Sequence, residues 1–249
     1  VLVLGMYPLR HIYIGVDLWD TGYNFANFQY MGTEHMDSMW LFSTYLANVV
    51  GNFLMKLPSA GSLAGMNLYT ALFVSILAVT GYLFCTRTLK ISPLVAFVGE
   101  FVAISLCWCP TALLYNYLTY VFYLVSFILL YKGLVTERKW CLFAAGVCLG
   151  TNVLVRFSNL PEAAMIVAVW AYGVLEALEY REVKKLHSEA GKGTSGAWKR
   201  TVSRTLWRLV GYLTALVVLL GMIGIRYGLD AYIQGIQRLF GMTDSNTEY

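Results

Sequence analysis

Six stretches of this chain, residues 66–85, 93–109, 114–131, 140–155, 163–178 and 209–225, run for sixteen to twenty positions with at most one charged residue each. A helix rises about 1.5 Å per residue, so roughly 20 apolar residues cross the ~30 Å hydrocarbon layer of a bilayer. Within hydrocarbon every backbone N–H and C=O must find its partner inside the protein, which a helix does within its own segment. The runs therefore predict an all-α polytopic membrane protein. Residues 1–10 are apolar but too short to span, and Pro8 suits a helix about to end. They read as the outer end of a first helix, which makes about seven transmembrane helices. Apolar residues are 58% of the chain and charged residues 13%, with mean hydropathy +0.61. A soluble domain is nearer ~45–50% and ~25%, so a water-soluble fold is excluded.

The net charge of +4 does not point to nucleic acid, because the basic residues are spread over short loops. If the spans alternate, Arg87 and Lys90, then Lys132, Arg138 and Lys139, then eight basic residues in 181–208, all fall on one side. The opposite side holds Arg10, Lys56, Arg156, Arg226 and Arg238. The positive-inside bias assigns the first group to the cytoplasm. The chain is thus expected to be one transmembrane domain over 1–249 of a cell-membrane protein, with an outer loop at 11–65 and a cytoplasmic basic loop at 181–208. Within that basic loop EAGKGTSGAW, 189–198, reads as a flexible linker. It lacks the first glycine and the preceding strand of a phosphate loop. The five cysteines have no metal-ligand spacing and read as packing residues. A start at Val1 and a polar end, TDSNTEY, suggest a piece of a longer chain.

The first outer loop concentrates the chemistry. Four of the fourteen acidic residues, Asp17, Asp20, Glu34 and Asp37, lie in it. Asp17 and Asp20 are three apart, so one helical turn would set both carboxylates on one face, able to share a proton or a divalent cation such as Mg²⁺ or Mn²⁺. His35 between Glu34 and Asp37 could add a ligand, or be merely solvated. Trp19, Tyr23, Phe25, Phe28 and Tyr30 interleave with Asp20, Asn24, Asn27 and Gln29. Such rings serve as an interfacial belt or as a surface for sugar C–H faces, and both readings stay open. Residues 38–57 follow with Trp40, Leu41, Tyr45, Val49, Phe53 and Leu54 mostly on one face, as in a helix lying on the membrane surface. Residues 229–240 repeat that pattern on the same side.

Further candidates sit at the ends of spans. Arg156, in VRFSNLPE, could bind a phosphate bidentately, with Asn159 and Glu162 to orient it, or could snorkel to the interface or pair with Glu162. Tyr115, Asn116, Tyr117 and Tyr120 would reach the same outer surface and could line an acceptor groove or form a belt. Glu100 lies mid-span, where a carboxylate must be neutral, paired or facing a polar cavity.

A helix end, an outer loop carrying Asp20 in WDTGYNFANF, a surface helix and further spans resemble the C-type glycosyltransferases, the GT-C superfamily. Their pattern of an acid, two residues and an aromatic at the start of a helix falls on Asp20 and Tyr23, while Thr21 stands where many members have a second acid. The resemblance covers most of the chain in architecture and about twenty residues in motif. It implies an inverting transfer from a polyprenyl-phosphate sugar to a glycan or protein acceptor on the non-cytoplasmic side. In that reading Asp20 is the general base, while Asp17, Tyr23, Glu34, Asn116 and Arg156 bind substrate. A transporter or flippase of a lipid-linked or small solute is the alternative, for which Glu100 speaks; a non-catalytic membrane subunit is a third.

Overall fold

The computed structural model describes residues 1–13, 20–106, 115–187 and 193–241, without the side chains of Asp20 and of 181–195. The described residues are helical, with no strand among them. They divide into two compact units, one of the described residues within 1–124, 154–157 and 222–241, the other of those within 125–153 and 158–221.

In the first unit, α1 (Leu2–Met6) passes into a 3₁₀ turn, Tyr7–Tyr13. Pro8 has no N–H to continue the α ladder. The carbonyls left over are taken up from outside: Ser75 Oγ donates to Gly5 O at 2.8 Å and Asn67 Nδ2 to Ile12 O at 2.9 Å. Leu4 is fully buried in a cluster with Phe28, Met66, Val74, Ala78, Ile104 and Tyr117, and a second cluster in the same unit joins Ala47, Leu118 and Val155. Helix α2 covers Asp20–Tyr30. The amphipathic stretch after it is two helices, α3 (Met39–Ser43) and α4 (Tyr45–Leu54), where the hydrophobic period predicts one. The break is at Thr44, whose backbone leaves the helical region at φ −146° and ψ 32°, and its Oγ1 accepts from Asn48 Nδ2 at 3.1 Å. Side chains of Thr that bond locally compete with the helix ladder in this way.

Helix α5 (Leu63–Leu83) starts where Ser62 Oγ accepts from Gly65 N at 3.1 Å and ends in a π-helical turn, Phe84–Thr88. Helix α6 (Pro93–Leu106) opens on the proline whose missing N–H costs nothing there. Helices α7 (Tyr115–Val135), α8 (Lys139–Val155) and α10 (Gly193–Tyr227) supply turns to both units. A 3₁₀ segment with Pro161, Phe157–Met165, leads into α9 (Ile166–His187). Gly228, at φ +86°, ends α10 with its N–H on Gly224 O at 3.0 Å, and α11 (Leu229–Gly241) follows as the amphipathic pattern predicts.

The second unit is built on close backbone contact. A Cβ added at Gly146 would strike Arg208 O, one at Gly150 would strike Tyr212 O, and one at Gly211 would strike Phe143 O. Gly146 and Gly150 form a G-x-x-x-G pair on α8, the spacing that lets membrane helices touch backbone to backbone. Leu130, Leu134, Leu142, Ala145 and Val169 fill the space beside it.

Four helical stretches are long and apolar enough to cross a membrane by length and composition: Leu63–Thr88, Tyr115–Val135, Phe157–Tyr180 and Gly196–Tyr227, with mean hydropathy from 1.4 to 2.0. Pro93–Leu106 and Lys139–Val155 are apolar but shorter, so the described residues hold four helices of spanning length against the expected count of about seven. Outward-facing apolar side chains such as Ile76, Leu175, Val217 and Ile225 are more than half exposed, a surface suited to lipid rather than water. The basic segment 181–208 also departs from expectation. Residues 181–187 continue α9, and 193–208 already belong to α10, so the glycine-rich stretch predicted as a linker is helical from Gly193 onward.

Candidate functional site

The site builds on α2 and on what the first unit gathers around it. One face of α2 turns inward although it is polar: Thr21, Asn24 and Asn27 are at most 1% exposed, spaced three apart so that each lies nearly one turn beyond the last. Asn48 of α4 is equally buried, Asn52 Nδ2 donates to Phe28 O at 2.7 Å, and Phe28 lies flush against Gly51, where any Cβ would overlap its ring. Buried amides are costly unless bonded, so this stripe marks the place where the fold accepts polar groups next to its apolar core. Asp20 is the first residue of the same helix, one turn before Asn24.

Tyr23 stands at the edge of this face. Its ring meets Trp40 edge-on at 6.5 Å between centroids. Burial raises the pKa of its hydroxyl above the usual tyrosine value; hydrogen bonds with Asn27 and Trp40 oppose the shift, and the nearby Asp37 carboxylate and Tyr115 add to it. The phenol therefore stays a neutral donor at any physiological pH. Tyr115 opens α7 and carries Arg156, whose guanidinium lies 4.7 Å from the ring centroid. Arg156 Nη1 donates to Asn116 Oδ1 at 3.1 Å. Among the described residues no carboxylate forms an ion pair with Arg156, which is exposed. Two of the residues predicted for the site, Asn116 and Arg156, thus come together from positions forty apart, and Tyr115, which carries Arg156, interacts electrostatically with a third, Tyr23, ninety-two positions before it.

The remaining candidates divide. Asp17 lies outside the described residues, as does the side chain of Asp20, so the catalytic and metal assignments fall outside them too. Glu34 is in the exposed turn after α2, and its partner is His35 at 3.7 Å. Asp37 accepts from Met39 N at 2.8 Å and from Arg238 Nη1 at 3.0 Å, a structural pairing with α11. The described residues contain no group of three His, Cys, Asp or Glu able to hold a metal ion. Asn159 and Glu162, expected to orient Arg156, both bond to Asn152: Asn159 Nδ2 donates to its carbonyl at 3.1 Å, and Glu162 Oε2 accepts from its amide at 2.7 Å.

Two features escaped the sequence reading. Asn24 and Asn27 face inward rather than beside the exposed rings of Tyr23 and Tyr30, and their three-residue spacing from Thr21 was the available signal. Trp40 is expected on the apolar face of a helix lying along the membrane surface, and in the fold it is buried against Tyr23. Comparison with known protein families, with curated proteins and with solved structures finds no match.

Proposed function

We propose that the chain is a membrane glycosyltransferase of the GT-C type, with about seven spans, that moves a sugar from a polyprenyl-phosphate donor to an acceptor hydroxyl on the non-cytoplasmic side. The observation that carries the reading is the exposed Arg156 held by Asn116 and Tyr115 beside Tyr23, on the helix that Asp20 begins. A planar guanidinium, free of carboxylates among the described residues and fixed at one nitrogen, has donors left for a phosphate. A carboxylate at the start of α2 is the base the reaction needs.

In this reaction Asp20 takes the proton of the acceptor hydroxyl as its oxygen attacks the anomeric carbon. The bond from that carbon to the phosphate oxygen breaks, and its electron pair leaves with the phosphate, where Arg156 balances the growing charge. A single displacement inverts the anomeric centre. Tyr23 and Asn116 position the sugar and the cation. A divalent cation would offer the leaving phosphate further charge; its expected ligands, Asp17 and Asp20, have no described side chains and no three-ligand group exists among the described residues, so no step is assigned to it.

The test is transfer from a polyprenyl-phosphate sugar by the purified full chain. Asp20→Asn is expected to abolish transfer, by about 10²-fold or more, with expression and helix content intact. Asp17→Asn should retain transfer if Asp20 acts alone; loss in both variants points to a shared proton or cation. Full activity of Asp20→Asn would remove the proposed base.

A further inference from the structure

A second site lies apart from the acidic loop, in the first unit's α5–α6–α7 packing. A cleft of about 250 Å³ is lined by apolar side chains, Val74, Ala78, Ala103 and Ile104 among them, together with Glu100, Tyr117 and Tyr120. At a liquid volume of ~30 Å³ per water molecule, it has room for a small headgroup and the first methylenes of a chain. Glu100 is seven residues into α6, about 10 Å along the helix, so the carboxylate is deep within an apolar element. It reaches its place because Gly81 has no side chain: a Cβ there would collide with Glu100 Oε1. Among the described residues no Lys, Arg or His pairs with this carboxylate and no hydrogen bond to it is made.

A carboxylate in an apolar cleft, without a protein cation, is an expensive group whose cost a ligand of opposite charge removes. The two lining tyrosines are aromatic, the kind of side chain that attracts an ammonium group, and carry no positive charge that would repel it. We propose that the cleft binds the cationic head of an amphiphilic amine, an ammonium group bearing one apolar chain, with Glu100 as its counter-ion. The binding is independent of glycosyl transfer, whose phosphate-bearing donor has the wrong sign for this carboxylate.

Equilibrium dialysis of radiolabelled decyltrimethylammonium against the full chain in nanodiscs tests the site, with nanodiscs lacking protein subtracted. Saturable binding of one molecule per chain is expected. Glu100→Gln should weaken it at least ~10-fold, as loss of a charge pair shielded from water requires, while Glu100→Asp keeps the charge and most of the affinity. Unlabelled decylammonium should compete and decanol, with the same tail and no charge, should not. Unchanged binding by Glu100→Gln, equal competition by decanol, or no saturable binding in a wild-type chain of native helix content would each overturn the proposal.

Discussion

Single residues decide where this chain tolerates charge. Arg204 is 7% exposed in its side chain, yet it is bonded on several sides: Nη1 to Glu176 at 2.7 Å, Nη2 to Glu137 at 3.4 Å, with the Tyr172 ring 5.2 Å away. Arg200 shares Glu176 at 2.9 Å from a more exposed position. Arg204→Ala would empty a buried position and remove the packing on Tyr172 with two ion pairs, although Glu176 keeps Arg200 and Glu137 is open to solvent, whereas an exposed pair such as that of Arg200 is worth roughly 0–1 kcal/mol. Arg204→Ala should therefore lower the thermal midpoint of the purified protein far more than Arg200→Ala, and equal shifts would contradict the burial argument. Neither arginine was separable from the other in the sequence, where both were counted as loop charges. Arg156 was legible because a cation at the end of an apolar run is rare. Its partner Asn116 was legible only as one of several polar residues near the same surface, since nothing in the sequence fixes which of four would reach a guanidinium forty positions on.

Elements show where period and spacing succeed. The run-length pattern identifies the long helices because the bilayer dictates both their length and their composition. It fails for 38–57, where a continuous apolar stripe hides the local bond from Asn48 to Thr44 that divides α3 from α4. It fails again at 189–198, where glycine and serine content suggests a linker. There α10 extends to Gly193, and Arg200 and Arg204 of its first turns find carboxylate partners that offset the poor local propensity. The G-x-x-x-G pair on α8 was present in the sequence as FAAGVCLG and predicted nothing until its partner helix was known. Its consequence is sharp. Gly150→Leu puts four carbons where Tyr212 O now sits, so α8 and α10 must separate. Gly99→Leu, on α6, meets open space within 4 Å of a new Cβ. The first variant should lose its folded, monodisperse elution in mild detergent and the second keep it. Tolerance of Gly150→Leu would mean that the two helices do not pack as described.

At the scale of the whole molecule, the apolar exterior and the basic segments must be satisfied by one placement in the bilayer. The stretch Gly196–Tyr227 is 32 residues, ~48 Å of helix, while the hydrocarbon layer is ~30 Å. About a third of it must project or tilt. The end holding Lys199, Arg200 and Arg204 is the one that leaves the hydrocarbon at least cost, since those charges are then hydrated or paired near the interface. Val217 and Val218 are 70% and 54% exposed in the fold, so protein packing does not shield them; only lipid can. With the five native cysteines replaced, single cysteines at Lys199 and Ser203 should react with a membrane-impermeant maleimide in sealed vesicles, and those at Val217 and Val218 should not until detergent is added. The positive-inside bias further requires that the reactive pair label only when the cytoplasmic face is outward. Labelling at Val217 without detergent would place that turn in water and remove α10 from the bilayer. Labelling of Lys199 from the opposite face would invert the topology, moving Asp20 and Arg156 to the cytoplasmic side and with them the proposed acceptor.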